Sequence, residues 1–394
     1  MQTLRYVIVI LLHTLLTPGK SQDLVSIANS FLNDKNYVEA KSSIDEAFVK
    51  SDLSQNARAW YTKGRVYHEI LKANDPQLDK FKTNLSSFVG DIIEAYDKTK
   101  ELTGRGNNLF ILANNQKEML WANHMNKGYD HWQNQEFNKA VWAFDVAKIA
   151  KPQDTTGYLY AGFSAQQAGK YQTAIDNYMA LKKLTKLSIS VYNSLIICKR
   201  AKNSQPEERL DTVEEAIFHY KDHIPYIIEE NRLLVGMGRY EEAESRLNTV
   251  LKRNPSVFDL VLLRADLFDR VFKESYNEGQ PERSERYFDL ASKDYETFLT
   301  KFPAHFKANH NYAVMINERA NRYYVSANFL SEEEYQISGK ETEELGHTWT
   351  RKALPYMERA LDLQPNDKDV LKALRAFYQR LKLEEKLAKL KDNE

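Results

Sequence analysis

Apolar residues recur along this chain at helical intervals, with polar residues between them. The clearest instance is the spacing Ala-x3-apolar-x2-apolar-x4-Pro. It occurs at Ala140/Phe144/Ala147/Pro152, Ala243/Leu247/Val250/Pro255, Ala291/Tyr295/Phe298/Pro303 and Ala353/Met357/Ala360/Pro365. An alanine and the residues four and seven further on share one face of a helix, and the proline stops it. Each match therefore predicts a helix whose alanine lets a neighbour approach closely. Chance would supply about 0.1 such matches at ordinary residue usage, so the chain is built of repeats.

Gly128 precedes Ala140 by twelve residues, and Gly162 precedes Ala174 by the same interval. A glycine in mid-helix costs about 1 kcal/mol relative to alanine, which predicts that close helix packing compensates at both. Ala140 and Ala174 are 34 residues apart, and with their surroundings they resemble the tetratricopeptide repeat, whose period is about 34 residues. The best-formed copies run over 121–152 (Gly128, Phe137, Ala140, Phe144, Ala147, Pro152) and 155–186 (Gly162, Tyr171, Ala174, Tyr178, Leu181). A third spans about 224–255, with Gly238-Arg239-Tyr240 as its turn.

Partial copies complete the pattern. Segment 23–52 carries Ala28, Tyr37, Ala40, Ile44 and Ala47 but ends in Asp52 instead of proline. The next has Trp60, Gly64 and Tyr67, then an insertion before Ile92, Ile93 and Ala95. Copies near 189–223, 258–303 and 306–365 have stretched middles, the longest between Ala320 and Trp349. The resemblance implies an all-α solenoid of about eight helix-turn-helix repeats over 22–367. The apolar stripe Leu371, Leu374, Phe377, Tyr378, Leu381 and Leu383, followed by the charged end Glu384 to Glu394, predicts a C-terminal capping helix over 368–394.

Composition agrees with an all-helical chain. Of 394 residues 42% are hydrophobic, while 14 glycines and 10 prolines leave long helices unbroken. The 23 tyrosines suit the large positions between stacked helices. With 55 basic and 55 acidic residues mixed along the chain, no global footprint for a nucleic-acid backbone exists. The start differs from the rest. Arg5 precedes an apolar run from Tyr6 to Leu16 and then Thr17-Pro18-Gly19-Lys20-Ser21-Gln22. This predicts a signal peptide over 1–21, export to a periplasmic or secreted space, and no stable membrane anchor after cleavage.

The candidate chemistry is sparse. Cys198, the only cysteine, lies in an apolar helical stretch and reads as a buried, inert thiol. His219 and His223 share a helix face, but two ligands do not make a metal site, and a histidine near a helix C-terminus is favoured by the macrodipole. Glu214-Glu215, Glu241-Glu242 and Glu332-Glu333-Glu334 read as solvated faces. The sequence contains no phosphate loop, nucleophile elbow or dinucleotide fingerprint. The expectation is a protein without catalytic residues, cofactor or metal.

In the repeat family, first helices line the concave side of the array and bind extended partners. Carried over to this chain, that role falls on Met125, Tyr129 and Trp132, then Leu159, Phe163 and Gln166, then Asn193, Ile197 and Arg200. Aromatic anchors of this kind are enriched at binding hot spots. The lysine, arginine and asparagine set with which some members grip a carboxylate has no counterpart at these positions. The resemblance thus implies a scaffold or adaptor that takes an apolar or aromatic protein segment. The alternative is an accessory subunit that binds a peptide or carbohydrate.

Overall fold

A computed structural model describes residues 21–391. The leader expected over 1–21 lies, except for Ser21, outside the described residues. All regular structure among the described residues is helical, and no described helix is long and apolar enough to cross a membrane. The chain divides into two compact units between Gln205 and Pro206.

The first unit holds α1 (Ser21–Asn33), α2 (Tyr37–Lys50), α3 (Ala57–Lys72), α4 (Leu85–Thr103), α5 (Asn108–Gln133), α6 (Phe137–Ala150), α7 (Thr155–Gln167), α8 (Tyr171–Leu184) and α9 (Ile189–Ala201). The insertion between α3 and α4 contains a short 3-10 turn, Pro76–Phe81. Each second helix packs on the first helix that follows, and α1, α3, α5, α7 and α9 also touch in series. A core from Val25 to Ala150 runs through α1 to α6, and a satellite of Ala140, Phe144 and Ala161 joins α6 to α7.

The second unit holds α10 (Pro206–His219), α11 (Ile224–Gly236), α12 (Tyr240–Arg253), α13 (Phe258–Asn277), α14 (Pro281–Lys301), α15 (Phe306–Asn328), α16 (Lys340–Leu363), α17 (Lys368–Arg380) and α18 (Glu384–Lys391). The stretched middles of the last large copies are helix, not loop. The helices α13 to α16 contain 20, 21, 23 and 24 residues, against 13 and 14 in α7 and α8.

The spacing that defines the repeats is realised as expected. All twelve apolar residues of the four matches are buried, and each proline stands two residues past its helix, after Ala150, Arg253, Lys301 and Leu363. Asp52 takes the same place after Lys50, where its carboxylate accepts from the Ser54 N–H at 3.1 Å. The mid-helix glycines make room for rings. A Cβ on Gly128 would stand 2.5 Å from Cε1 of Phe144, and Gly162 and Gly64 are pressed in the same way by Tyr178 and Tyr96.

The turns repeat as well. Two residues past the ends of α1, α5, α7, α9, α11, α13 and α17, the backbone turns left-handed at Lys35, Gln135, Gly169, Asn203, Gly238, Gly279 and Lys382. In each case the next N–H donates to a carbonyl five residues back, as from Glu136 to His131 and from Arg239 to Leu234 at 2.8 and 2.9 Å. This is the Schellman closure of a helix. Its presence at Lys382 corrects the expected single capping helix. The stretch is a helix-turn-helix, α17 and α18, in which Val370, Leu374, Phe377 and Tyr378 are buried.

Candidate functional site

The nine residues singled out from the sequence lie on α5, α7 and α9, with α7 touching both of the others. Local chemistry sets the start of α7. Asp154 caps it by accepting from the Thr156 N–H at 3.3 Å, and its other oxygen accepts from Trp121 Nε1 of α5 at 3.0 Å. This pair ties the start of α7 to the middle of α5. Asn107 and Ser188 cap α5 and α9 in the same manner.

Around α5 the geometry is aromatic. Tyr129 stacks on Trp132 with centroids 6.2 Å apart, and meets Tyr160 of α7 edge to face at 6.0 Å. Tyr160 in turn stacks on Phe144 at 5.6 Å. Met125, Trp132 and Tyr160 all pack against the buried Ala140, Phe144 and Ala161. The indole Nε1 of Trp132 is buried without a hydrogen-bond partner. Tyr129 is the member turned most toward solvent, at 43% exposure. The ladder is therefore anchored at its two ends, Phe144 and Trp132, and opens to solvent at Tyr129 between them.

The α7 residues do less than their positions suggest. Leu159, Phe163 and Gln166 are half-buried. Phe163 meets Tyr178 edge to face at 5.8 Å, and Gln166 Oε1 accepts the Tyr178 hydroxyl at 3.0 Å. Both thus help hold α8 against α7. On α9, Asn193, Ile197 and Arg200 are exposed, Ile197 at 48%. Their helix α9 reaches the helices of the aromatic ladder through its contact with α7.

The residue that sequence reasoning missed is Tyr160. It sits next to Leu159, one position off the face inferred from the repeat, and bridges α5 and α6 through its ring. The rim beside Trp132 is polar: His131 Nδ1 lies 2.6 Å from Glu136, which also pairs with Lys139 at 2.6 Å. The Lys139 and His131 hydrogen bonds lower the Glu136 pKa. Cys198 is buried on α9, and burial pushes its thiol up to about 11. His219 ends α10 and His223 precedes α11, where its ring packs on Tyr226 at 4.4 Å. No group of three or more metal-ligating side chains occurs among the described residues.

Comparison with known proteins finds a repeat model that matches part of the chain. Residues 231–270, from within α11 to within α13, match the family model described as tetratricopeptide repeat. Solved structures that resemble the chain include the tetratricopeptide domain of P58(IPK), with 16% identity over 93% of this chain and 100% of that one, at a TM-score of 0.29. YrrB, described as a TPR protein with an unusual peptide-binding site, shows 18% identity over 51% of this chain and 93% of its own, at 0.33. A tetratricopeptide repeat protein from Parabacteroides merdae shows 14% identity over 71% and 93%, at 0.24. No curated protein matches the sequence.

Proposed function

We propose that this chain, which is a tetratricopeptide-repeat protein, is a non-catalytic scaffold that receives a protein segment along α5, α7 and α9. The fold supports protein–protein interaction in general, and the aromatic ladder carries the finer reading. Tyr129 offers a half-exposed ring held from behind by Trp132 and Tyr160. A rigid aromatic of this kind contributes large contact area at small entropic cost. Ile197 offers a further exposed apolar side chain on α9. An apolar or aromatic segment suits this surface better than a highly charged one.

The decisive experiment cross-links the protein in its native host, identifies the partner by mass spectrometry, and then measures affinity and melting on the same variants. Tyr129→Ala should weaken partner binding by about 1–3 kcal/mol with melting nearly unchanged. Trp132→Ala should instead lose about 3 kcal/mol or more of folding stability, because its indole is packed into the core. Unaltered affinity in Tyr129→Ala would remove the binding surface from α5. Thermal stabilisation by glycans and not by peptides would favour the accessory carbohydrate-binding reading.

The scaffold is further proposed to act after export, on the strength of the charged start, apolar run and small-residue exit over 1–21. Intact-mass measurement of the exported chain should find Gln22 or Asp23 at its start. Retention of Met1 on that chain would refute the cleavage.

A further inference from the structure

Arg319 and Arg322 stand three residues apart on α15, on one helix face. Both guanidinium groups lie against aromatic rings. Arg319 is 4.4 Å from the ring centre of Phe288 and 4.2 Å from that of Trp349. Arg322 is 3.9 Å from Phe272 and 3.7 Å from Tyr276. Stacking uses the face of a planar cation and leaves its N–H edge for acceptors.

The two edges are satisfied differently. Arg319 is paired with the carboxylate of Glu285, although its Nε, like that of Arg322, is buried without a hydrogen-bond partner. Arg322 donates to Ser284 Oγ at 2.9 Å and makes a long contact of 3.5 Å with the Phe272 carbonyl, while its Nε is buried with no hydrogen-bond partner. Among the described residues no carboxylate comes within ion-pair distance of it. Burial lowers the pKa of this guanidinium, while Tyr276, Glu318 and Glu285 act to raise it.

A cavity of about 260 Å³ opens beside them, lined by both arginines with Tyr276, Glu285, Tyr323 and Ser326. Glu285, paired with Arg319, is the one carboxylate on its wall, so the lining carries two arginines against one carboxylate, with Glu318 also acting on Arg322 from outside the lining. Its volume falls below the roughly 300–1,000 Å³ of pockets for drug-sized ligands, which suits a small ion or the end of a larger molecule. The lining also carries the hydroxyl-bearing side chains of Tyr276, Tyr323 and Ser326. A tetrahedral anion with oxygens in every direction can use such a set, whereas a planar carboxylate offers only two.

We propose that this cavity binds a phosphate group, with Arg322 as its principal ligand and the three hydroxyls completing the shell. The site belongs to the second unit and is independent of the aromatic ladder on α5.

Isothermal titration of the full chain at low chloride, with inorganic phosphate as the probe and acetate as the control, tests it. Phosphate should bind saturably at one site and acetate more weakly. Arg322→Gln should weaken phosphate about tenfold or more, as loss of a charge-assisted contact does. Tighter binding of O-phosphoserine than of inorganic phosphate would support the site with phosphate as the end of a larger ligand, and the reverse would support it with the free ion. Absence of saturable phosphate binding, preference for acetate, or equal affinity in a folded Arg322→Gln would overturn it. Should Arg322→Gln fail to fold, the double variant Tyr323→Phe/Ser326→Ala keeps the test open, and unchanged phosphate affinity there would equally overturn the proposal.

Discussion

At the residue scale, Gly128 and Phe144 share a volume that would ordinarily hold a side chain and a ring. An added methyl at Gly128 would press on the ring at 2.5 Å. Gly128→Ala should therefore destabilise by about 1–3 kcal/mol through overpacking, against a gain of about 1 kcal/mol in helix propensity. A rise in denaturation midpoint would show that the ring yields. Two buried histidines give a second expectation. Burial pushes His68 and His124 down to about 4 from an ordinary 6.5. The unfolded chain then binds the protons first, so stability is retained above about pH 6.5 and is lost as pH falls from there toward 4. Each histidine contributes a slope of about 1.4 kcal/mol per pH unit. Burial raises Asp269 and Glu230, which act in the opposite sense by favouring the folded state on acidification. Melting recorded from pH 7 to 4.5 should fall less steeply in His68→Phe or His124→Leu, and equal slopes would refute the assignment. Tyr129 and Ile197 were legible as exposed positions because repeat positions mark a helix face. Tyr160 was not, because a contact between two helices depends on their crossing, which a one-residue offset in sequence does not disclose.

At the element scale, the seven left-handed turns are chemically unequal. Gly169, Gly238 and Gly279 meet the backbone requirement without a steric cost, whereas Lys35, Gln135, Asn203 and Lys382 carry a Cβ in a region that disfavours it. Gly238→Ala should cost about 1 kcal/mol or more, while Gln135→Gly should be neutral or gain up to about 1 kcal/mol. Urea unfolding of both variants checks the pair, and a destabilised Gln135→Gly would contradict the conformational argument. The same inequality explains what could be read in advance. Helices ended by proline were plain in the sequence, as was the turn at Gly238. Turns made by lysine or glutamine carry no such mark, so the break at Lys382 was read as continuous helix. The long middles of α13 to α16 were read as insertions at turns for a similar reason: a longer helix keeps the polar and apolar period that a repeat template does not expect.

At the scale of the whole molecule, a chain whose helices touch mainly their neighbours gathers its stability step by step. The last step is α17 and α18, where the Tyr378 hydroxyl donates to Glu358 at 3.0 Å and Arg380 donates to Asn321 at 2.7 Å. Deleting 368–394 should uncover apolar surface on α16, lower the melting temperature and promote aggregation. Unchanged melting and solubility would show that the pair is no cap. The lone thiol then acquires a use. Cys198 is fully enclosed on α9, and its ionisation is displaced to about 11, so it can react with a disulfide reagent only when that helix lifts from its bed. The chain thus carries an intrinsic clock for local opening: the labelling rate of the native protein, set against that of the denatured one, gives the free energy with which α9 is held, with no probe introduced and no second cysteine to confuse the reading.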